Sequence, residues 1–418
     1  MTADVASGVV ASVIGAWLVF GTPNLVTAGP ATGGVVPLAL LLVFGGFAGS
    51  SLALALSAGS VPQPSYGRAV AVVASGLTVA MTGIVFTRIY WSRSFLLTTV
   101  AVWLVLAVGH RWVARQRPWT ERLVVISDEK QLVDHIHDAP HADVVAVIDP
   151  GHDGEMDPPD PGVTLAVDFK SVLSDRMAGF VSSAIVSGVP VRAFGTVYEE
   201  HTGRLPVVHM SEGWELIAPV DRRAPWLFGK RIFDVVLVTV TMPLWLLVWA
   251  AGALFVHLTA GSPSMFAQAR TGYRGRTFTL IKLRTMVHDA EANGPRFAAP
   301  DDERIIRGGG VLRRYRIDEV PQLWNVLRGD LSLVGPRPEQ VAFTEEFSDT
   351  IPFYSHRHLV RPGVTGWAQI NYGYADGEAD TVEKLTFDLY YVKHMSPWLD
   401  LEILTRSLGT VLTGEGAR

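Results

Sequence analysis

The chain has no cysteine. That excludes a disulfide framework and any zinc or iron–sulfur site built on thiolates. Charge is also scarce: Asp, Glu, Lys and Arg make up 18% of the 418 residues while hydrophobic residues make up 49%, and the mean hydropathy is +0.27. A soluble chain usually carries about 25% charged residues, so part of this one belongs in lipid. The formal net charge of −5 gives no reason to expect nucleic acid as a partner. The first residues lack the basic stretch and the A-x-A site of a cleaved signal peptide, and the first apolar stretch is expected to be retained. Internal repeats and low-complexity tracts are absent too.

What is present begins with apolar runs. Val36–Gly59, Ala69–Thr87 and Ser94–Gly109 are free of charge, and each approaches the roughly 20 residues that a spanning helix needs. Val9–Phe20 is a fourth candidate, cut short by Gly21-Thr-Pro-Asn. Residues 1–117 therefore read as a bundle of about four transmembrane helices. Arg111, Arg115 and Arg117 follow the last run and place what comes next in the cytoplasm. Arg88 and Arg93, in a loop that this arrangement puts outside, count against it.

Residues 118–222 read as a separate soluble α/β domain. Arg122-Leu-Val-Val-Ile-Ser and Ala142–Asp149 have the apolar composition of buried strands, with a helix at Glu129–Asp138 between them. The turn after the first strand is Ser127-Asp128-Glu129, without the glycines of G-x-G-x-x-G. A dinucleotide needs those glycines for close backbone approach. The domain is therefore read as Rossmann-like but degenerate, with a structural or regulatory role.

Residues 223–418 begin differently. A charge-free run from Val235 to Val256 has Pro243 near its middle. Proline removes a backbone donor and clashes with the carbonyl four residues earlier, so a kink is expected. Hydropathy alone leaves a straight span and a kinked re-entrant helix both open. Trp245 and Trp249 read as interfacial anchors or as lipid-facing bulk. Beyond the run, Arg307, Arg313, Arg314, Arg316, Arg328 and Arg337 surround the acidic pair Asp318-Glu319. Arginine suits bidentate contact with phosphate, and Mg²⁺ takes one or two carboxylates plus substrate phosphates. The pair could thus divide labour, one carboxylate attacking phosphorus and the other holding the metal. Alone, an Asp-Glu pair among arginines is as easily a solvated surface.

The combination of motifs is more specific. Lys230-Arg231-x-x-Asp234, Gly261-Ser-Pro263 with Gln268 and Arg270, and Lys282-Leu-Arg284 come first. Asp318-Glu319-x-Pro-Gln-Leu-Trp-Asn325, Leu331-Ser-Leu-Val-Gly-Pro-Arg337-Pro338 and Arg361-Pro-Gly-Val-Thr-Gly366-Trp367-Ala-Gln369 follow. In this order they resemble, over residues 228–412, the bacterial sugar transferases, monotopic enzymes that pass a hexose-1-phosphate to a polyprenyl phosphate. The whole chain resembles their long form, with an N-terminal helix bundle and a degenerate nucleotide-binding-like domain. The resemblance implies a re-entrant helix at 232–257 kinked at Pro243. It implies that Asp318 attacks the β-phosphate of a UDP-sugar, UMP leaves, and polyprenyl phosphate takes the sugar phosphate from the aspartyl intermediate. Glu319 is matched to support of Mg²⁺. Lys282, Arg313 and Arg337 are matched to phosphate contacts, and Arg284, Arg304, Gln268 and Arg270 join them as substrate-binding candidates.

Some positions depart from the pattern. Met242 stands where some relatives carry a serine before the kink proline, so the freed carbonyl needs another partner. Leu283, Thr285 and Ile306 also differ, which bears on substrate preference. His356 and His358 read as polar surface, and Gly363–Trp367 as a tight turn packing its Trp. Leu385–Met395 is left open between a membrane-surface helix and one packed on the core. The expected setting is the bacterial inner membrane, multi-pass, with the catalytic domain in the cytoplasm. The expected partners are a UDP-sugar donor, a polyprenyl phosphate acceptor and the bilayer, with a homodimer left open. The competing reading is a catalytically inactive regulatory or assembly protein of polysaccharide export.

Overall fold

The computed structural model of the chain describes residues 2–30, 33–56, 66–87, 92–115, 120–156, 162–207, 224–288, 290, 302–372 and 378–413. Arg88, Arg117 and the expected domain boundaries near 117 and 222 lie outside these residues. The chain divides into two compact units, Met1–Thr120 and Glu121–Arg418.

The first unit is helical: α1 (Thr2–Phe20), α2 (Val36–Leu56), α3 (Tyr66–Thr87) and α4 (Arg93–Arg115). All four apolar runs of the N-terminal sequence thus form helices. α2 packs on α3, and α1 on α4. Glycines permit this: a Cβ at Gly8, Gly46 or Gly76 would come within 3 Å of the buried Trp103 ring. Small residues let backbones approach where no aqueous hydrophobic effect drives helices together. The Trp103 indole N–H donates to the Asp4 carbonyl and the Ser7 hydroxyl, both at 3.1 Å. Asp4 pairs with Arg111 at 2.7 Å, fastening the start of α1 to the end of α4.

Outward positions such as Leu40, Phe44, Leu97 and Val105 are exposed and apolar. Among the described residues, Thr2–Phe20, Arg68–Phe86, Arg93–Ala114 and Met242–Ala260 are long and apolar enough to cross a membrane, and Val36–Ser51 is a shorter apolar helix. The protein is membrane-associated on this evidence.

The second unit opens with an α/β layer: β1 (Glu121–Ile126), α5 (Lys130–His137), β2 (Ala142–Ile148), β3 (Val163–Val167), α6 (Asp175–Val186), β4 (Val191–Ala193) and α7 (Phe194–Thr202). The strands form a wholly parallel sheet in the order β2-β1-β3-β4. α5 and α7 bury one face around Leu123, Ile136 and Val197, and α6 buries the other around Ile126, Leu165 and Met177. Burial on both faces explains the apolar run Leu123–Ile126 of β1 and the wholly buried β3. In the turn after β1, the Ser127 hydroxyl donates to Asp168 and accepts from the Glu129 N–H.

Two apolar helices follow, α8 (Ala224–Val240) and α9 (Met242–Ala260), separated at Thr241. Pro243 lies in the first turn of α9, where its missing N–H costs nothing. The break is tied by side chains. The Thr241 hydroxyl donates to the Leu237 carbonyl at 2.8 Å, and the Trp245 indole N–H donates to the Val238 carbonyl at 2.9 Å. These bonds reach the carbonyls of Leu237 and Val238, not that of Thr239, which the proline leaves without its usual donor. Trp245 is 5% exposed and stacks on Trp249, whose indole reaches the Met265 sulfur at 3.3 Å. Trp245 faces the protein, which overturns its reading as a membrane anchor or lipid-facing bulk, while Trp249 is half-buried against the core.

The remaining chain packs against these helices. It comprises the hairpin β5 (Met265–Thr271) and β6 (Thr277–Leu283), α10 (Gly309–Arg314), α11 (Gln322–Arg328), β7 (Ser332–Val334), α12 (Val341–Thr350), β8 (Gly363–Thr365), α13 (Trp367–Asn371), α14 (Glu378–His394) and α15 (Pro397–Thr413). α14 buries Leu385, Phe387, Leu389, Tyr391 and Val392, so Leu385–Met395 packs on the core. Trp367 also packs inward, stacking on Tyr390 and donating to the Gly203 carbonyl at 2.7 Å. The Leu205 N–H donates to Thr386 O, and Glu199 pairs with Lys393 and His394, joining the α/β layer to α14.

Candidate active site

Asp318 and Glu319 sit in a single 3₁₀ turn, Ile317–Glu319, between α10 and α11. Arg316 enters it with φ 52°, in the left-handed region. A non-glycine residue held there is strained, and such strain collects at functional sites. α10 starts from Gly308, whose φ of 78° and the Phe255 ring 2.5 Å from an added Cβ both exclude a larger residue. α9 thereby sets the height of the helix that carries Arg313.

Both carboxylates are buried, Asp318 at 8% and Glu319 at 6% exposure, yet their surroundings differ. Glu319 Oε1 accepts from Arg337 at 2.8 Å, and Oε2 from Arg316 at 3.2 Å. Burial alone would raise its pKa, but Arg337 and Arg316 outweigh it and hold the carboxyl down at about 2. The Asp318 carboxylate accepts no hydrogen bond among the described residues. Burial, and then the charge of Glu319, push its pKa up to about 7, against the pull of Lys282, Arg337 and Arg313. The pair thus splits into one carboxylate held ionised by its arginines and one that exchanges its proton near neutral pH.

Besides Arg337, two cations act on Asp318: Lys282 and Arg313. Lys282 comes from β6, directly opposite Phe266 of β5, and its Nζ lies 5.1 Å from that ring's centroid. Burial, followed by the charge of Arg270, lowers its pKa, while Asp318 opposes the shift. Arg313 has a buried Nη1 with no hydrogen-bond partner. A buried, unsatisfied guanidinium N–H is costly, and an anion bound here would satisfy it.

The loop that presents Arg337 is braced from behind. Arg357 Nη2 donates to the Arg337 carbonyl at 2.9 Å and to Asp388 at 2.6 Å. Arg270 donates to the Pro338 carbonyl at 3.1 Å and to Gln268 at 2.6 Å. Glu339 gathers Lys384, Arg357 and Arg270; burial opposes its ionisation, but these cations keep its pKa near 2. Gly335 is needed because a Cβ there would meet the Arg361 carbonyl at 2.3 Å. Asn325, fully buried, joins α11 to β6 through the Ile281 N–H and the Thr279 carbonyl. It fixes the dyad's helix to the strand that carries Lys282.

Asp318, Glu319, Lys282, Arg313 and Arg337 therefore converge, with Gln268 and Arg270 one layer behind. Two other candidates lie elsewhere in their bonding. Arg284 caps the end of α9, donating to the carbonyls of Ala260 and Gly261 at 2.5 and 2.9 Å. Arg304 grips Asp302 with two bonds and reaches the Ala290 carbonyl. Neither spends its guanidinium on the dyad. Sequence reading left out of the site Arg316, which neutralises Glu319, and the Arg357–Asp388–Glu339–Lys384 brace. The i,i+3 spacing of Arg316 and Glu319 was the available signal for the first. The brace joins residues far apart in sequence and has no local signal. His356 and His358, beside Arg357, are half-buried rather than surface; burial, then Arg357, presses the His358 pKa down to about 3.

No group of three or more Asp, Glu, His and Cys side chains among the described residues would hold a metal unaided. The donor set nonetheless suits Mg²⁺, which takes one or two carboxylates and fills its shell with phosphate and water. Asp318 accepts nothing, and each Glu319 oxygen keeps a lone pair beyond its arginine.

A family model described as bacterial sugar transferase matches residues 226–414. Among curated relatives, a UDP-N-acetylgalactosamine-undecaprenyl-phosphate N-acetylgalactosaminephosphotransferase of Aeromonas hydrophila is 40% identical over 274 residues, 63% of this chain and 63% of that protein. A UDP-glucose:undecaprenyl-phosphate glucose-1-phosphate transferase of Xanthomonas campestris is 37% identical over 51% of this chain and 44% of its own length. One of the same name from Caulobacter vibrioides is 41% identical over 194 residues, 45% of this chain and 71% of that protein. The chain thus spans less than two thirds of the first two relatives.

Proposed function

The chain belongs to the bacterial sugar transferase family, and we propose that it transfers a hexose-1-phosphate from a UDP-sugar to polyprenyl (undecaprenyl) phosphate through a covalent aspartyl intermediate. The observation that carries this reading is the Asp318 carboxylate, which accepts no hydrogen bond among the described residues, beside Lys282 and an Arg313 whose buried Nη1 has no hydrogen-bond partner. In the first step an Asp318 oxygen attacks the β-phosphorus of the donor. The bond from that phosphorus to the bridging oxygen breaks, and UMP leaves with the oxygen and its electron pair. In the second step a phosphate oxygen of the acceptor attacks the same phosphorus, the Asp318–phosphorus bond breaks, and the carboxylate is restored.

Lys282, Arg313 and Arg337 offset charge on the transferring phosphoryl group. Arg316 and Arg337 neutralise Glu319, so a second carboxylate does not repel the donor. Glu319 is the residue that would hold Mg²⁺, which when bound supplies charge neutralisation at the diphosphate.

A membrane-embedded acceptor requires a site at the bilayer surface. The α8–α9 pair fits a re-entrant hairpin. Lys230, Arg231 and Asp234 of α8 bond to Asp400, the Val326 and Leu327 carbonyls, and Ser332. The far end of α9 is capped by Arg284 of the same globular part. A straight span would carry these ends to opposite faces. Exposed Ile232, Val236, Leu244, Leu247, Leu254 and Leu258 would face lipid. On this reading the catalytic part lies on the cytoplasmic side of the bacterial inner membrane, with residues 118–222 as a degenerate nucleotide-binding-like module and the first unit as the membrane bundle. The pathway served is one of exopolysaccharide or O-antigen type.

The test is to supply donor alone, radiolabelled in the sugar, to purified protein with Mg²⁺. Label retained on the peptide containing Asp318, with one UMP released per label, supports the reading. Label on another residue, or none on folded protein, would overturn it.

A further inference from the structure

A cavity of about 360 Å³ opens beside the dyad on the side of Glu319 and Arg316, between the 3₁₀ turn, α13 and α15. It lies within the range for small-molecule sites. Its walls are apolar: Leu323 of α11, Leu333 of β7, Ile370 of α13 and Leu404 of α15. Most polar groups within it are already spent on one another: Gln369 donates to the Val364 carbonyl, and its Oε1, without a partner, is the one buried acceptor left open among the described residues that line it. Thr365 and Ser407 share a hydrogen bond of 2.6 Å, and the Thr410 hydroxyl donates to the Ser407 carbonyl. Only the end at Glu319 and Arg316 is charged. At the lip, Leu408 is 60% exposed. Lys282, Arg313 and Arg337 do not line this space. The dyad is thus approached from two chemically different sides, a cationic cradle and an apolar chamber.

We propose that this cavity binds the isoprene units nearest the phosphate of the acceptor lipid, an inference that rests on the reaction proposed above. A uridine or a hexose carries many donors and acceptors, and burying them against these walls would leave them unpaired. An unbranched run of apolar surface ending at a guanidinium matches an isoprenoid chain ending in phosphate. Chain in the cavity brings that phosphate to the Glu319 end, next to the phosphorus carried by Asp318. The cationic cradle stays with the donor diphosphate. α15 therefore acts as part of the acceptor site as well as a packing element.

The experiment uses the full chain in nanodiscs and a short polyprenyl phosphate carrying a diazirine on its second isoprene unit. After irradiation, adducts are mapped by mass spectrometry. Adducts on Leu323, Ile370, Leu404 or Leu408, suppressed by excess undecaprenyl phosphate, are the expected result. Adducts confined to α8 and α9, or insensitive to competition, would overturn the proposal. A second measurement uses Leu404→Trp, which fills the chamber. The KM for acceptor should rise about tenfold, equivalent to one decade of affinity, and the wild-type protein labelled by donor alone serves as reference. An unchanged acceptor KM in folded variant protein contradicts the site. The two readings fail separately. Label on Asp318 with photoadducts elsewhere overturns the acceptor cavity alone. Competed photoadducts in the cavity without label on Asp318 support the lipid site and overturn the covalent step.

Discussion

A carboxylate becomes a nucleophile when something keeps its charge from being neutralised by a neighbour. Glu319 spends both oxygens on Arg316 and Arg337, and Asp318 spends none. Asp318→Asn should therefore cost at least about 10³-fold in turnover. Its effect on stability has the opposite sign. The folded-state pKa of about 7 lies above the ordinary 3.8, so the folded chain holds this proton more tightly than the unfolded one. The penalty for ionising Asp318 is absent below pH 4, grows between about 4 and 7, and is complete above. Thermal unfolding at pH 8 should show Asp318→Asn no less stable than wild type and should favour it; a clear loss of Tm would contradict the environment described. The same shift sets the kinetics. The kcat/KM for donor should rise through about pH 7, because this ratio reports free-enzyme ionisations. Lys282→Met removes a charge that lowers the Asp318 pKa, so the limb of its residual rate should move to higher pH. A limb that stays in place would contradict the proximity of Lys282.

The acidic pair and the arginines around it were legible in the sequence because they are neighbours in it. The partner of each arginine was not. Arg284 and Arg313 share a residue type and a chemical promise, but one caps a helix and the other is left bare. Only the path of α9 decides between them, because it brings unsatisfied carbonyls to Arg284. The long-range brace from Arg357 to Arg337 is invisible for the same reason.

At the scale of elements, Pro243 announced the break between α8 and α9, and the residues that repair it were harder to read. Trp245 looks like a lipid-facing aromatic until its indole is seen to bond across the break. Trp245→Phe should cost about 1 kcal/mol through the lost hydrogen bond, measurable as a lower Tm in detergent; an unchanged Tm would show that the bond is immaterial. α14 was ambiguous because amphipathic helices look alike whether they meet lipid or a core. Its resolution came from tertiary contacts with Tyr354, Val334 and α7. Removing one partner of a buried ion pair should be more severe. Lys230→Met leaves Asp400, 2% exposed and already resisting ionisation through burial, without its cation, and a loss of about 3–5 kcal/mol is expected in denaturant unfolding. A loss below 1 kcal/mol would mean that α8 is not fastened by this pair.

For the whole molecule, composition alone separated a lipid-seeking N-terminal part from a globular remainder, and the division at Thr120 follows that change. Which side of the membrane the globular unit occupies depends on whether α8 and α9 return to the face they leave. The absence of native cysteine makes this directly measurable. Ser182→Cys precedes the hairpin and Arg274→Cys follows it, and both positions are exposed. An impermeant maleimide should label both in inverted membrane vesicles and neither in intact cells. Labelling from opposite faces would establish a straight span and remove the re-entrant hairpin.

The measurement closest to the central claim is the identity of the nucleotide released by purified protein given polyprenyl phosphate, Mg²⁺ and a panel of UDP-sugars, with Asp318→Asn alongside. UMP from at least one donor, absent with the variant, is the expected result, because attack by Asp318 on the β-phosphorus leaves UMP. Release of UDP would mean that the sugar alone is moved, and would contradict Asp318 as the phosphoryl acceptor.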